Sequence, residues 1–174
     1  AKKHDEEEPV TKPGQVWQLG EHRVMCGNAT SGDDVAKLMG GEMADVLWLD
    51  PPLKLDNSLT EVFKGEKNVD GKYATFLNEA LLVAMTAAKP HFHTFLWCDE
   101  INIWLAQTLL AEHKHDNKRV LIWVKPDMQV TPKVAFNKAY DSCVYATKGK
   151  PYINTNIKNY NQVLNREVNS GNQI

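Results

Sequence analysis

Val46-Leu47-Trp48-Leu49 runs without polar interruption into Asp50-Pro51-Pro52. An apolar run with no alternation reads as a buried parallel strand, because a strand covered on both faces has no solvent side to fill with polar residues. The two prolines end it, since neither can donate a ladder hydrogen bond. A parallel strand is not reached by a tight turn and needs a crossover, usually a helix. The rest of the chain must therefore supply helices between strands.

Tyr73 to Ala88 places Phe76, Leu77, Ala80, Leu81, Ala84 and Met85 at three- and four-residue steps up to Lys89-Pro90, which predicts a helix. Thr94 to Cys98 follows as a strand, and Asp99 caps a second helix through Leu110. Arg119 to Val124 is a further strand stopped by Lys125-Pro126, and Ser142 to Ala146 is the last. Upstream, Val16, Trp17 and Leu19, then Gly20-Glu21, then Val24, Met25 and Cys26 predict a short strand pair. Asp33 caps a helix through about Met39, before Gly40-Gly41. Leu53 to Gly71 reads as a long polar loop, and residues 1–13, with Glu6-Glu7-Glu8 and two prolines, as a flexible polar arm ahead of one domain over 14–174. Strands alternating with helices predict an α/β fold with a mostly parallel sheet and helices on both faces. Ligands of such sheets sit beyond the carboxyl ends of the strands, which puts Asp50, Asp99 and Lys125 on the functional rim.

Composition narrows the function classes. With 43% apolar and 24% charged residues over 174 positions, the chain can bury a real core. No apolar run approaches the roughly 20 residues of a bilayer span, and the first residues lack the basic-then-apolar order of a secretory signal, so a soluble cytoplasmic protein is expected. Cys26, Cys98 and Cys143 are odd in number and widely spaced, which argues against a disulfide framework and a structural zinc site. A net charge of −2 leaves no electrostatic footprint for nucleic acid, so any DNA reading must rest on motifs. The chain opens on Ala1 without an initiator Met and closes on Asn169 to Ile174, which completes no obvious element, so it is expected to be an excerpt of a longer protein.

The chemistry centres on Asp50, Pro51 and Pro52. Paired prolines fix the backbone and hold a carboxylate and nearby carbonyls at the sheet edge. An exocyclic amine on a nucleobase is a poor nucleophile because its lone pair is delocalised into the ring. Two acceptors, the Asp50 carboxylate and the Pro51 carbonyl, can hold both N–H bonds and favour a tetrahedral nitrogen aimed at a methyl sulfonium, which is positioning and electrostatics without a covalent intermediate. The base must leave its stack and enter a pocket, with the residue after the prolines as one wall. Alone, Asp-Pro-Pro is also what a common strand-ending turn looks like.

The context is more specific. The stretch from Gln15 to Arg23 with Met25-Cys26-Gly27, the strand and cap Phe95 to Asp99, the segment Leu121 to Pro126, and Ala139 to Tyr145 running into Lys148-Gly149-Lys150 together resemble phage- and plasmid-type DNA methyltransferases that modify adenine at its amino group, often beside or fused to ParB-like domains. The resemblance covers about residues 14–174. It implies a partial Rossmann-like, S-adenosylmethionine-dependent methyltransferase sheet in the permuted, beta-type order, where the catalytic motif precedes the cofactor loop. It further implies Asp50, Pro51 and Pro52 as catalytic, Leu53 as the base-stacking position, and Gly27, Asn28 and Ala29 as cofactor contacts. S-adenosylmethionine is the implied cofactor and DNA the implied partner, in a bacterial or phage setting such as restriction-modification, with no membrane and no metal.

Three departures qualify that implication. Leu53 stands where the family usually has Tyr, and base–aromatic stacking is typically worth about 1–3 kcal/mol. Asn28 stands where the family usually has Asp. No Gly-x-Gly turn for close approach to a sulfonium nucleoside occurs anywhere in the chain. In the beta-type order that turn would lie downstream of Ile174, so truncation is expected over decay, and the 174 residues alone are expected to be inactive, completed by a missing C-terminal half or by a second copy. The rival reading is a catalytically inactive methyltransferase-like module for DNA binding or assembly. His91-x-His93 and His113-x-His115 read as surface histidines, Trp97, Trp104 and Trp123 as core packing, and Lys148, Lys150, Lys158 and Arg166 as a solvated loop.

Overall fold

In a computed structural model of the chain, the structure describes residues 10–52, 69–129, 138–154, 156 and 161–164. Two short strands, β1 (Val16–Leu19) and β2 (His22–Met25), form the expected pair, which runs antiparallel with Leu19 opposite His22 across the Gly20-Glu21 turn. Gly20 has φ +62, a left-handed conformation that a side chain would disfavour. The helix α1 (Gly32–Met39) is capped by Ser31 rather than Asp33: the Ser31 hydroxyl accepts from Asp34 N at 3.3 Å, while Asp33 lies inside the first turn, where a negative charge also favours the helix. Gly40, at φ 60, ends it.

The main sheet contains β3 (Ala44–Leu49), β4 (Ala88–Cys98), β5 (Asp116–Gln129) and β6 (Lys138–Lys148) in the order β3-β4-β6-β5. Between β3 and β4 lies α2 (Val69–Thr86), and between β4 and β5 lies α3 (Ile103–Glu112). The first pair, β3 and β4, is parallel, whereas β6 runs antiparallel to both β4 and β5. The sheet is therefore mixed, which corrects the mostly parallel expectation. Only residues 130–137 separate β5 from β6, fewer than the dozen or more that a parallel crossover needs, so the chain returns antiparallel. Because β4 and β5 both oppose β6, strands β3, β4 and β5 share one direction, and their carboxyl ends form one rim.

Several boundaries shift, β4 starting already at Ala88 and β6 at Lys138, and three further shifts have identifiable reasons. Helix α2 begins at Val69, so the end of the expected 53–71 loop is helical; residues 53–68 lie outside the described residues. Asp99 starts a 3-10 turn over Glu100–Asn102 without a side-chain cap bond, and α3 begins only at Ile103. Pro126 falls inside β5, where the register shifts between Val124 and Gln129. An edge strand tolerates a residue with no N–H at such an irregularity. Part of that outer edge is covered: Ile122 N donates to Gln162 O at 2.8 Å, and Leu164 N donates to Ile122 O at 2.9 Å.

The core lies between one sheet face and helices α2 and α3. Leu77, Leu81, Leu96, Leu110 and Val144 are essentially inaccessible, joined by Tyr73, Leu105, Ala106, Leu109 and Ala146. Strand β4 alternates to serve this arrangement, with Phe92, Thr94, Leu96 and Cys98 buried and His93, Phe95 and Trp97 turned to the other face. On that other face Trp48 stacks on Phe95 at 5.3 Å between ring centroids, and Phe95 meets Tyr145 at 5.0 Å. The founding strand β3 is buried on one side only: Leu47 is 7% exposed, but Val46 is 47% and Trp48 59% exposed. The expectation of a strand covered on both faces is corrected accordingly, for among the described residues both α2 and α3 pack on the Leu47 side of the sheet. No described helix is long and apolar enough to cross a membrane.

His115 also departs from the sequence reading. It is 2% exposed, its Nε2 lies 3.2 Å from Thr94 Oγ1, and its Nδ1 is buried with no partner among the described residues. Burial first, then the positive charge of Lys148, pushes its pKa down to about 4. It is a core histidine, not a surface one.

Candidate active site

Asp50 follows β3 directly, at the carboxyl-end rim, with Pro51 partly buried and Pro52 exposed. The strand delivers Asp50 there because residues two apart share a face, so Trp48 and Asp50 project from the same side. Together with Trp97, Cys98, Trp123, Asp141 and Ser142 they line an open cleft of about 160 Å³. Small-molecule sites are commonly about 300–1,000 Å³. This cleft suits a single heterocycle better than a complete nucleoside donor.

The polar groups of the cleft differ in availability. The Asp141 carboxylate is paired with Lys125, whose Nζ also sits 5.1 Å from the Trp123 ring centroid. Ser142 Oγ donates to Cys98 O at 2.7 Å, which occupies that hydroxyl hydrogen. Asp50 has no hydrogen-bond or ion-pair partner among the described residues. Among the described residues, the cleft therefore offers one unpaired carboxylate, at the strand end the sequence singled out. Cys143 is fully buried, and burial pushes its thiol up to about 12. A thiol held that high is protonated at neutral pH and is not a nucleophile.

The expected cofactor contacts lie elsewhere. Gly27, Asn28 and Ala29 form the exposed turn between β2 and α1, and none of them lines the cleft. A Cβ on Gly27 would stand 2.9 Å from Asp34 Oδ2, so a larger residue there would displace the Asp34 side chain. Asn28 N donates to Asp34 Oδ2 at 2.7 Å, and Asn28 Oδ1 accepts from Thr30 N at 3.0 Å and Thr30 Oγ1 at 2.9 Å. The turn faces solvent and is held by these internal hydrogen bonds. Leu53 lies outside the described residues.

The tryptophans are what the sequence reading missed. Trp104 is 65% and Trp123 46% exposed, so neither is the core residue expected, and Trp97 sits in the cleft wall. The histidine pairs are engaged within the protein: His93 bonds Tyr145 OH and Tyr152 O, both at 2.9 Å, His91 Nδ1 accepts from Lys150 N, and His113 Nε2 lies 2.7 Å from Asn78 Oδ1.

No family model matches this chain, and no curated protein does. Among solved structures, the crystal structure of M1.HpyAVI is similar with a TM-score of 0.51 and 14% identity, over 75% of this chain and 61% of that chain. The crystal structure of the M1.HpyAVI–SAM complex gives a TM-score of 0.47 at 14% identity, over 70% of this chain and 53% of that one. Likeness at such identity speaks to the fold alone. The chain spans about 61% of the length of the M1.HpyAVI chain it matches.

Proposed function

We propose that this chain carries the acceptor side of a DNA methyltransferase that modifies the exocyclic amino group of a base, adenine in preference to cytosine. The observation that carries the reading is Asp50: a carboxylate without a partner among the described residues at the carboxyl end of β3, opening on a cleft of base-like size, in a fold similar to that of M1.HpyAVI. The motif resemblance around Asp50, Pro51 and Pro52 supplies the chemistry.

In this reading the Asp50 carboxylate and the Pro51 carbonyl accept the two amino hydrogens of an extruded base. Their pull shifts the nitrogen lone pair out of conjugation and towards the incoming methyl group. S-adenosylmethionine, when bound, supplies that methyl on a sulfonium, an electrophile with a neutral thioether as its leaving group. Asp50 then stands where the proton lost by the methylated nitrogen is received. Gly27, Asn28 and Ala29 contribute an edge contact to the donor, and these 174 residues hold no Gly-x-Gly turn to supply the rest of its site. Leu53, the expected base-stacking position, contributes contact without an aromatic face.

The test is methylation by a longer form of the protein that includes an aromatic-x-Gly-x-Gly turn. Asp50→Ala should lower the rate by about 10²–10³-fold, the usual cost of removing one polarising group. Retained activity would remove Asp50 from this role. DNA binding without methylation in every such form would favour the rival, a module that kept the fold and lost the chemistry. Calorimetry with S-adenosylmethionine should show no tight binding by the 174 residues.

A further inference from the structure

The cleft beside Asp50 has three indole walls in a row. Trp48 and Trp97 are 5.4 Å apart between ring centroids and tilted by 47°, and Trp97 and Trp123 are 6.1 Å apart at 75°. The outer two are unusually open for tryptophan, at 59% and 46% exposure. Exposed apolar surface of this kind gathered in one cleft marks a contact site more often than chance.

Each open ring is also braced. Trp48 lies on Phe95 at 5.3 Å and 30°, nearly parallel, and Trp123 carries the Lys125 ammonium at 5.1 Å, itself anchored by Asp141. A braced aromatic face loses little freedom when a ligand stacks on it. The indole N–H of Trp97 is buried with no hydrogen-bond partner among the described residues, an unmatched donor in the same wall.

Resting on the acceptor-site reading above, we propose that Trp48 and Trp123 are the aromatic surface that receives the extruded base, taking over the stacking that Leu53 cannot provide. A planar heterocycle entering the cleft of about 160 Å³ that they line together with Trp97 lies beside Asp50, so the residues that hold the ring and the residue that polarises its amine share one opening. The register supports this. Trp48 is two residues before Asp50 on β3, and Trp123 is paired directly with Asp141 across β5 and β6. The base is recognised by its π-face, which every nucleobase has, and selected by its amine.

The experiment is a titration of the 174-residue chain with a single-stranded oligodeoxynucleotide carrying one 2-aminopurine, a base whose fluorescence is quenched by stacking, alongside the same strand with an abasic site. The expected result is base-dependent quenching in the wild type, weakened about 5- to 150-fold by Trp48→Leu or Trp123→Leu and largely kept by Trp48→Phe. Thermal melting should be nearly unchanged in these variants, since both side chains are half open. Quenching that persists unaltered in both leucine variants would overturn the aromatic surface and leave the acceptor reading standing. Equal affinity for the abasic strand, with no quenching, would overturn both. A wild-type dimer that dissociates on Trp48→Leu, without base-dependent quenching, would assign these rings to a protein contact instead and overturn the proposal.

Discussion

Lowering the pH from about 7.5 to about 4.5 should cost this fold roughly 2.5 kcal/mol through one side chain, His115. The folded protein holds its imidazole at a pKa of about 4, against about 6.5 in an unfolded chain. A depressed histidine favours folding only while it is neutral. Its contribution is intact above about pH 6.5 and is lost as the unfolded state takes up a proton that the folded state refuses. The loss reaches about 1.4 kcal/mol near pH 5.5 and levels off at about 3.4 kcal/mol near pH 3, the full 2.5-unit difference at 1.36 kcal/mol per unit. The refusal has a structural cause: a ring 2% exposed, packed edge-on against Phe92, with the positive charge of Lys148 nearby opposing a second one. Urea melts at pH 7.5, 6.5, 5.5 and 4.5 measure the slope, and His115→Gln should flatten it between pH 6.5 and 4.5. An identical slope in that variant would refute the assignment.

Other expectations are simpler to check. Leu81→Ala removes a side chain with no exposure between α2 and the sheet, and chemical melts should register a loss of about 2–5 kcal/mol. Ser31→Ala deletes the cap of α1, with an expected loss of about 1 kcal/mol in the same assay. Lys125→Met leaves Asp141 uncompensated. The pair is partly open, so a double-mutant cycle with Asp141→Asn should report a coupling of no more than about 1 kcal/mol.

The legible part of this protein was local. The hairpin of β1 and β2, the buried face of α2 at Leu77 and Leu81, and Asp50 at a strand end could be read because turn residues and helical spacing act over a few positions. The direction of β6 was hidden because the strands appeared to stop at Val124 and start at Ser142. Their true extent, to Gln129 and from Lys138, leaves a link too short for a crossover. Pro126 concealed it, since a proline ends a central strand but not an edge strand with a register shift. The open faces of Trp48 and Trp123 were hidden for a related reason. An apolar run looks the same whether one face or both are covered, and only the tertiary packing, with α2 and α3 on one face, shows which side of the sheet is covered among the described residues. His115 was misread because a polar neighbourhood in sequence gave no sign of the Thr94 and Phe92 it packs against.

The central claim is that the Asp50 carboxylate takes hold of a base amine, and it can be measured without any methyl donor. Two single strands, identical except that one carries adenine and the other purine, which lacks the amine, are compared for affinity to the wild type and to Asp50→Ala. A hydrogen bond to a charged group is worth about 1.5–3 kcal/mol, so the wild type should prefer adenine by roughly 10- to 150-fold, and the variant should show no preference. An equal preference for adenine in both proteins would contradict the account.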